Sequence, residues 1–312
     1  MTSIEFQELA EGEELFSPGH AACPGCAGPV IIRQVLLAAR AEGVRIAGAI
    51  ATGCMEVVTT IFPHSAWRMP MVHSAFENAA STISGVEAAY RALSRRGRVM
   101  EEIRFLAFGG DGGTYDIGLQ ALSGAMERGH DFTYLCYDNG AYMNTGIQRS
   151  SATPQGAFTM TAQAGSEAAG KPQQRKDLTA VAEAHGIPYA AQAAPHRPRD
   201  LMGKVRKAIR TRGPCFINVL SPCPRGWRHE TGDTLQVSRL AEETCFWPLY
   251  EVEEGGLTLS RKPKEKKPVR QWLESQGRFA HLLDGENEDL VNEIQARTDA
   301  KWDALLKRDR EG

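Results

Sequence analysis

The sequence predicts an α/β fold, a mostly parallel sheet with helices on both faces. Three observations lead there. From about residue 27 to residue 220, strand-length apolar runs alternate with helical patterns, the rhythm of a sheet whose crossovers are helices. The runs are β-branched or aromatic and stop abruptly in small or polar residues, as at Ala51-Thr52-Gly53, Gly109-Gly110 and Asp138-Asn139. The chain has 312 residues, 42% of them hydrophobic, with a net charge of −2, enough to bury one large core or two smaller ones.

The elements follow in order. Residues 19–34 are rich in cysteine and glycine and lead into a helix expected over 27–42. Val44 to Ile50 reads as a buried strand. Residues 74–95 read as one long helix whose many small residues suit close packing. A strand at 103–108, a helix at 115–128 and a strand at 132–138 come next. Residues 139–176 form a polar loop rich in Gly, Ser and Thr, and a loop this long is usually functional or covered by a partner. Helix 177–185, strand 187–193, helix 198–211 and strand 215–220 then resume the alternation.

Past residue 225 the rhythm stops, so the chain is divided into an α/β domain, 1–225, and an irregular C-terminal extension, 226–312, expected to make subunit contacts. Within it, 235–260 suggests a short helix and a hairpin. The basic, proline-punctuated run 261–270 reads as a solvated linker. Residues 286–308 carry apolar positions at helical spacing, an amphipathic helix needing a surface.

The charge balance implies neither nucleic acid nor an anionic membrane as partner. The opening, MTSIEFQELAEGEE, is acidic and has no apolar core of a secretory signal. No stretch approaches the roughly 18 apolar residues of a membrane span. A cytoplasmic protein is expected, in which seven cysteines point to metal or redox chemistry before disulfides.

The stretch 108–139 is the most informative. Gly109-Gly110-Asp111-Gly112-Gly113 follows one strand and leads into a helix; Asp138-Asn139 ends the next. Gly110 and Gly112 allow close backbone approach to a bulky anion, and a helix start offers unpaired N–H groups to phosphate. Asp111 and Asn139 offer hard oxygens, which Mg²⁺ prefers beside phosphates. The segment reads as a Mg²⁺-diphosphate site.

Cys23-Pro24-Gly25-Cys26 is a CxxC, open between zinc, a dithiol and an iron–sulfur cluster. Cys54 and Cys223 each follow the C-terminal end of an expected strand, the edge where α/β sheets bind ligands. Cys23, Cys26, Cys54 and Cys223 can therefore converge near the diphosphate site. Cys136, Cys215 and Cys245 lack such placement. Spacing leaves zinc and a [4Fe–4S] cluster both open.

Six segments, GHAACPGC (19–26), ATGCMEV (51–57), HSAFENAA (73–80), GDGGTYDIGLQALSGAMERGHD (110–131), YDNGAYMNTGIQRSSATPQG (137–156) and SPCPRGW (221–227), resemble in order the β subunit of 2-oxoacid:ferredoxin oxidoreductases, the pyruvate synthase type among them. The resemblance covers about 19–250 and fades after 260. It implies a thiamine-diphosphate-binding fold and one [4Fe–4S] cluster on Cys23, Cys26, Cys54 and Cys223. It implies Mg²⁺ on Asp111, Asn139 and the main-chain carbonyl of Ala141. Asn144 matches the residue that reaches the reacting end of thiamine diphosphate and is the expected catalytic residue. Some members carry Gly-Glu after the second cysteine; here Ala27-Gly28 stands there, so no cofactor role is assigned to it.

The implied reaction is the reversible oxidative decarboxylation of a 2-oxoacid to an acyl-CoA, with electrons passing to ferredoxin. The implied partners are α/γ subunits that supply the activating Glu and the substrate pocket, a ferredoxin-like δ subunit or domain, ferredoxin and coenzyme A. Glu56 and Glu77 are not assigned the activating role, nor His20, His64 or His73 a catalytic one. Arg149 and Arg225 are better candidates for an anion. The 142–154 run looks most like pyruvate-type subunits. Phenylglyoxylate, oxalate, branched-chain 2-oxoacids, 2-oxoglutarate and indolepyruvate are alternatives within the family. A non-redox thiamine decarboxylase or synthase, and a zinc-stabilised interaction module, are alternatives outside it.

Overall fold

A computed structural model describes residues 13–311. The acidic opening on which the signal reading rests falls largely at residues 1–12, outside the described residues. Eight strands form one sheet in the order β2-β1-β3-β4-β6-β5-β7-β8. These are β1 (Arg45–Ala51), β2 (Met71–Ser74), β3 (Ile103–Gly110), β4 (Thr133–Asp138), β5 (Tyr189–Ala193), β6 (Cys215–Leu220), β7 (Tyr250–Glu253) and β8 (Gly256–Leu259). The first six pair in parallel; β7 and β8 add to β5 as an antiparallel hairpin.

Both sheet faces are buried, because successive strand residues point to opposite faces. Leu106, Phe108, Leu135, Ile217 and Val219 enter one core, where helices α1 (Ala27–Arg40) and α6 (Pro198–Arg210) lay Ile31, Val35, Leu201 and Val205 over them. Phe105, Ala107, Tyr134, Cys136 and Phe216 enter the other. There α3 (Ala79–Arg95), α4 (Leu119–Glu127) and α5 (Leu178–Glu183) supply Ala80, Ile83, Leu122, Met126 and Ala182. The predicted α/β class is the observed one.

Two local readings need correction. The helix expected over 74–95 starts only at Ala79, and the residues before it, Met71–Ser74, form strand β2. This four-residue edge strand is half-exposed, so it lacks the apolar run that marks the other strands. The helix expected over 115–128 is two pieces, a π-helical turn Gly112–Ile117 and then α4. A π turn is rare and frequent at functional sites.

Beyond residue 225 the chain does not leave the sheet. After the short helices α7 (Pro224–Trp227) and α8 (Thr234–Glu243), the β7–β8 hairpin extends it. Helices α9 (Val269–Glu274) and α10 (Glu288–Glu311) then pack behind. Trp227, Trp247, Trp272 and Phe279 share a core with Ala157, Ala194 and Leu220. Trp302 and Leu305 of α10 pack on Tyr250, Val252 and Leu257 of the hairpin. Among the described residues no helix is long and apolar enough to cross a membrane.

Candidate cofactor site

Strands β1, β3, β4 and β6 are consecutive and parallel in the sheet, so their C-terminal ends share one edge. The chain turns outward to β2 after β1 and returns past it to β3, which makes the β1/β3 border a topological switch point, where such sheets bind ligands. A cleft opens there, lined by Thr52, Cys54, Asp111, Tyr137, Asn139 and Asn144, among others.

Asp111 follows β3 directly and is 1% exposed. Its Oδ2 accepts from Ser150 Oγ at 2.5 Å and its Oδ1 from Asn139 N at 3.2 Å. Burial, and next the nearby Asp138, push its carboxyl well above the usual range. The side-chain oxygen of Asn139 faces two further acceptors, the Ala141 carbonyl at 2.8 Å and Asp111 Oδ1 at 2.9 Å. Turning the amide over would let its NH₂ donate to both. In either orientation the Asp111 carboxylate, the Asn139 amide and the Ala141 carbonyl converge on one point at the cleft, groups that can each offer an oxygen to a hard cation. Trp227 Nε1 donates to the Asn139 carbonyl at 2.6 Å and pins this turn from below.

Gly110 and Gly112 line the cleft, but the room they leave is partly used by the protein. A Cβ on Gly112 would stand 2.6 Å from the Tyr142 ring, and one on Gly110 3.0 Å from the Tyr137 ring. These glycines let aromatic rings pack under the loop, which the expectation of close approach to an anion alone did not foresee.

A buried network behind the site was not apparent in the sequence. Asp138 Oδ2 accepts from Tyr115 Oη at 2.6 Å and pairs with Arg175 Nη2 at 2.5 Å. Asn218 Nδ2 donates to Tyr115 Oη at 2.7 Å. The network joins the π turn, β4, β6 and the long loop, and so fixes the strand end that carries Asn139. Asp138 was visible only as the residue before Asn139; its buried partners lie too far away in sequence to be paired by pattern.

The seven cysteines fall into two groups by burial. Cys136, Cys215 and Cys245 are buried in the cores, whereas Cys23 is exposed and Cys26, Cys54 and Cys223 are half-buried. Cys26 caps α1, Cys54 opens helix α2 (Cys54–Thr59) and Cys223 caps α7. The loops meet: Ala27 N donates to the Pro222 carbonyl at 3.4 Å, and Thr234 Oγ1 donates to the Gly25 carbonyl at 2.5 Å. Gly25 has φ +74°, and a Cβ there would stand 2.4 Å from the Thr231 carbonyl, so the CxxC turn needs glycine. Burial first, then repulsion from Cys223, Cys26 and Cys23, pushes the Cys54 thiol up to about 12. Burial likewise pushes Cys26 up to about 11, with Cys223 and Cys23 adding to it. The Cys26 and Cys54 thiols therefore stay protonated until a metal centre takes up their charge. Among the described residues no three His, Cys, Asp or Glu side chains are close enough to hold a single metal ion.

The other candidates are scattered. Asn144 is exposed at the lip of the cleft. Arg149 is exposed, with Nη2 3.4 Å from Gln173 Oε1, and Arg225 is exposed. His64 is exposed and His20 stacks on Phe16. His73 bridges Thr52 Oγ1 at 2.9 Å and Glu56 Oε1 at 3.4 Å, a contact between two matching segments that sequence reasoning left unjoined.

The thiamine pyrophosphate enzyme family, C-terminal TPP-binding domain, matches residues 51–219. That span runs from the end of β1 to the end of β6 and includes Asp111 and Asn139, and the chain belongs to the thiamine pyrophosphate enzymes. Within that class, the chain belongs to the β subunits of the 2-oxoacid:ferredoxin oxidoreductases of the pyruvate synthase type. It is 48% identical over 303 residues to pyruvate synthase subunit PorB of Thermotoga maritima, covering 96% of this chain and 94% of that one. It is 51% identical over 295 residues to PorB of Methanocaldococcus jannaschii, covering 94% and 97%. Subunit VorB of the ketoisovalerate oxidoreductase of Pyrococcus abyssi is 41% identical over 297 residues, covering 95% and 93%. Among solved structures, the 2-oxoglutarate:ferredoxin oxidoreductase of Magnetococcus marinus shares the fold, with a TM-score of 0.57 at 20% identity over 77% of this chain and 81% of that one.

Proposed function

We propose that this chain anchors the cofactors of a pyruvate:ferredoxin oxidoreductase, which converts pyruvate and coenzyme A reversibly to acetyl-CoA and CO₂ with electrons passing to ferredoxin. The observation that carries the reading is the convergence of Asp111, Asn139 and the Ala141 carbonyl at the ends of β3 and β4, with Cys54 lining the same cleft and the loops that carry Cys26 and Cys223 in contact with each other. Asp111, Asn139 and the Ala141 carbonyl would hold Mg²⁺ and, through it, the diphosphate of thiamine, with Gly110 and Gly112 flanking. Thiamine diphosphate, when bound, supplies the electron sink for breaking the bond to the carboxylate carbon. Asn144, at the lip, would donate a hydrogen bond where negative charge develops on the substrate oxygen.

Cys23, Cys26, Cys54 and Cys223 would hold one [4Fe–4S] cluster. Cys54 lines the same cleft as Asp111, which supports a short electron path between the two centres. A cytoplasmic location suits thiols that must stay reduced until loaded.

No carboxylate of this chain is assigned to activating the thiamine. That group and the substrate pocket would come from α/γ subunits, and a ferredoxin-like δ subunit or domain would carry electrons onward. Pyruvate is favoured because PorB relatives at 48% and 51% identity span nearly the whole chain. The VorB relative at 41% favours a branched-chain 2-oxoacid as the second reading.

The test is an assay of the assembled complex over a panel of 2-oxoacids with coenzyme A and a viologen dye. Pyruvate is expected to give the highest kcat/KM. A higher value for 2-oxoisovalerate would replace pyruvate with the second reading, and turnover without dye reduction would sink the redox assignment.

A further inference from the structure

Arg278 lies in the 3₁₀ turn Gly277–Leu282, beyond the matching motifs, yet it is 2% exposed. Its guanidinium stacks on Trp227, 4.0 Å from the ring centroid, with the Phe279 ring at 5.0 Å and the Trp272 ring at 5.7 Å. Nε donates to Gln276 Oε1 at 2.9 Å, while Nη2 has no hydrogen-bond partner. Among the described residues no carboxylate forms an ion pair with it. The acids nearby are engaged elsewhere: Asp138 by Arg175 and Tyr115, Asp111 by Ser150 and the Asn139 amide. A buried guanidinium without a counter-charge is costly, so its place calls for an explanation.

That place is between the two proposed cofactor corners. On one side Nη1 packs on Gly140, where a Cβ would stand 3.1 Å away. On the other, the Trp227 beneath it ends the single helical turn capped by Cys223, and Trp227 N donates to the Cys223 carbonyl at 2.8 Å. Cys223 is a nearby group whose charge is still to come, and unlike Asp111 it has no hydroxyl partner: it becomes a thiolate when it ligates a metal centre.

We propose that Arg278 is the internal counter-charge of the cluster held through Cys223, and that it raises the potential at which the cluster accepts its electron. The proposal rests on the cluster reading above. A cluster on four thiolates is anionic and gains one more negative charge on reduction. A fixed cation nearby favours the reduced form, net charge and surroundings being what set such potentials. The electron enters from the substrate side and leaves to the acceptor; Arg278 exchanges neither electron nor proton and is a positioning residue.

The test uses the full chain, reconstituted anaerobically with iron and sulfide, as wild type, Arg278→Met and Arg278→Lys. Iron content, thermal melting and the midpoint potential, followed by electron paramagnetic resonance, are measured for each. Arg278→Met is expected to disfavour reduction at least tenfold, a shift of about 59 mV to more negative potential for one electron. Arg278→Lys is expected to stay close to wild type. Loss of iron from Arg278→Met but not from Arg278→Lys, with melting preserved in both, would also support the counter-charge. An unshifted potential in iron-loaded Arg278→Met would overturn it, as would equal shifts or equal iron loss in both variants. Wild type that takes up no iron would instead overturn the cluster reading and the proposal with it.

Discussion

At Asp111 the proposed metal-binding role and the stability of the fold pull in opposite directions. Its carboxyl is buried, pushed up by desolvation and then by Asp138, and the folded protein without metal holds its proton more tightly than the unfolded chain does. Stability of that form therefore falls as pH rises above the ordinary carboxylate range. Binding Mg²⁺ requires the proton to leave. Asp111→Asn is thus expected to raise the melting temperature of the metal-free protein near neutral pH. The same change should weaken Mg²⁺-dependent thiamine diphosphate binding by about 100-fold or more, since even outer-shell changes at metal sites cost about 10- to 100-fold. Calorimetric titration beside thermal melting reads both effects, and a lower melting temperature would refute the trade-off. The cysteines allow a cleaner partition. Serine at 23, 26, 54 or 223 should abolish iron uptake, whereas serine at 136, 215 or 245 should spare it; iron lost from a core variant that still folds would break the assignment.

At the scale of elements, legibility depended on whether neighbours in space were also neighbours in pattern. Cys54, Asp111, Asn139 and Cys223 each follow a strand, so the alternation alone carried them to one edge. Strand β2 was missed because it is an edge strand, its burial coming from one neighbour only. Arg175 was hidden because nothing in a polar loop marks one arginine as buried, and its partner Asp138 lies 37 positions away. The loop 139–176 was rightly expected to be long, and the structure shows what orders it. Lys171 Nζ donates to the carbonyls of Thr153 at 2.6 Å, Gln174 at 3.2 Å and Ser151 at 3.4 Å. Asp116 accepts from Ser151 N at 3.0 Å and Tyr142 Oη at 3.2 Å. Lys171→Met keeps the aliphatic stem but strands buried carbonyls, at a cost of about 1–3 kcal/mol. Faster proteolysis within 139–176 is expected, with weaker thiamine diphosphate binding because the loop carries Asn139, Ala141 and Asn144. Unchanged cleavage kinetics would show that the contacts to Asp111, Asp116 and Asp138 order the loop without Lys171.

At the scale of the whole molecule, the open question is how tightly the segment beyond residue 225 is bound to the rest, and Glu242 answers it in a testable way. Glu242 lies on α8 and is 3% exposed. It takes His196 Nε2 at 2.7 Å and Arg197 Nε at 2.8 Å from the loop before α6, and Arg261 Nε at 3.0 Å from the chain after β8. Burial alone would raise its pKa; the hydrogen bonds from His196 and Arg197 outweigh that and hold it at about 2, below its ordinary 4.5. A depressed folded value stabilises the fold above 4.5, and that contribution drains away as pH falls from 4.5 through about 2. Glu242→Gln removes the charge that the part-exposed Arg197 and Arg261 pair with, which costs about 1–3 kcal/mol near neutral pH. The difference from wild type should shrink as pH falls through this window, because protonation there strips wild type of the same interaction. If the extension and the sheet share one cooperative core, as Trp227, Trp272, Leu220 and Ala157 packing together implies, the variant should melt in one transition at lower temperature. Two transitions, with only the smaller one moved, would mean that the segment beyond 225 unfolds by itself and that Glu242 is a latch between two units.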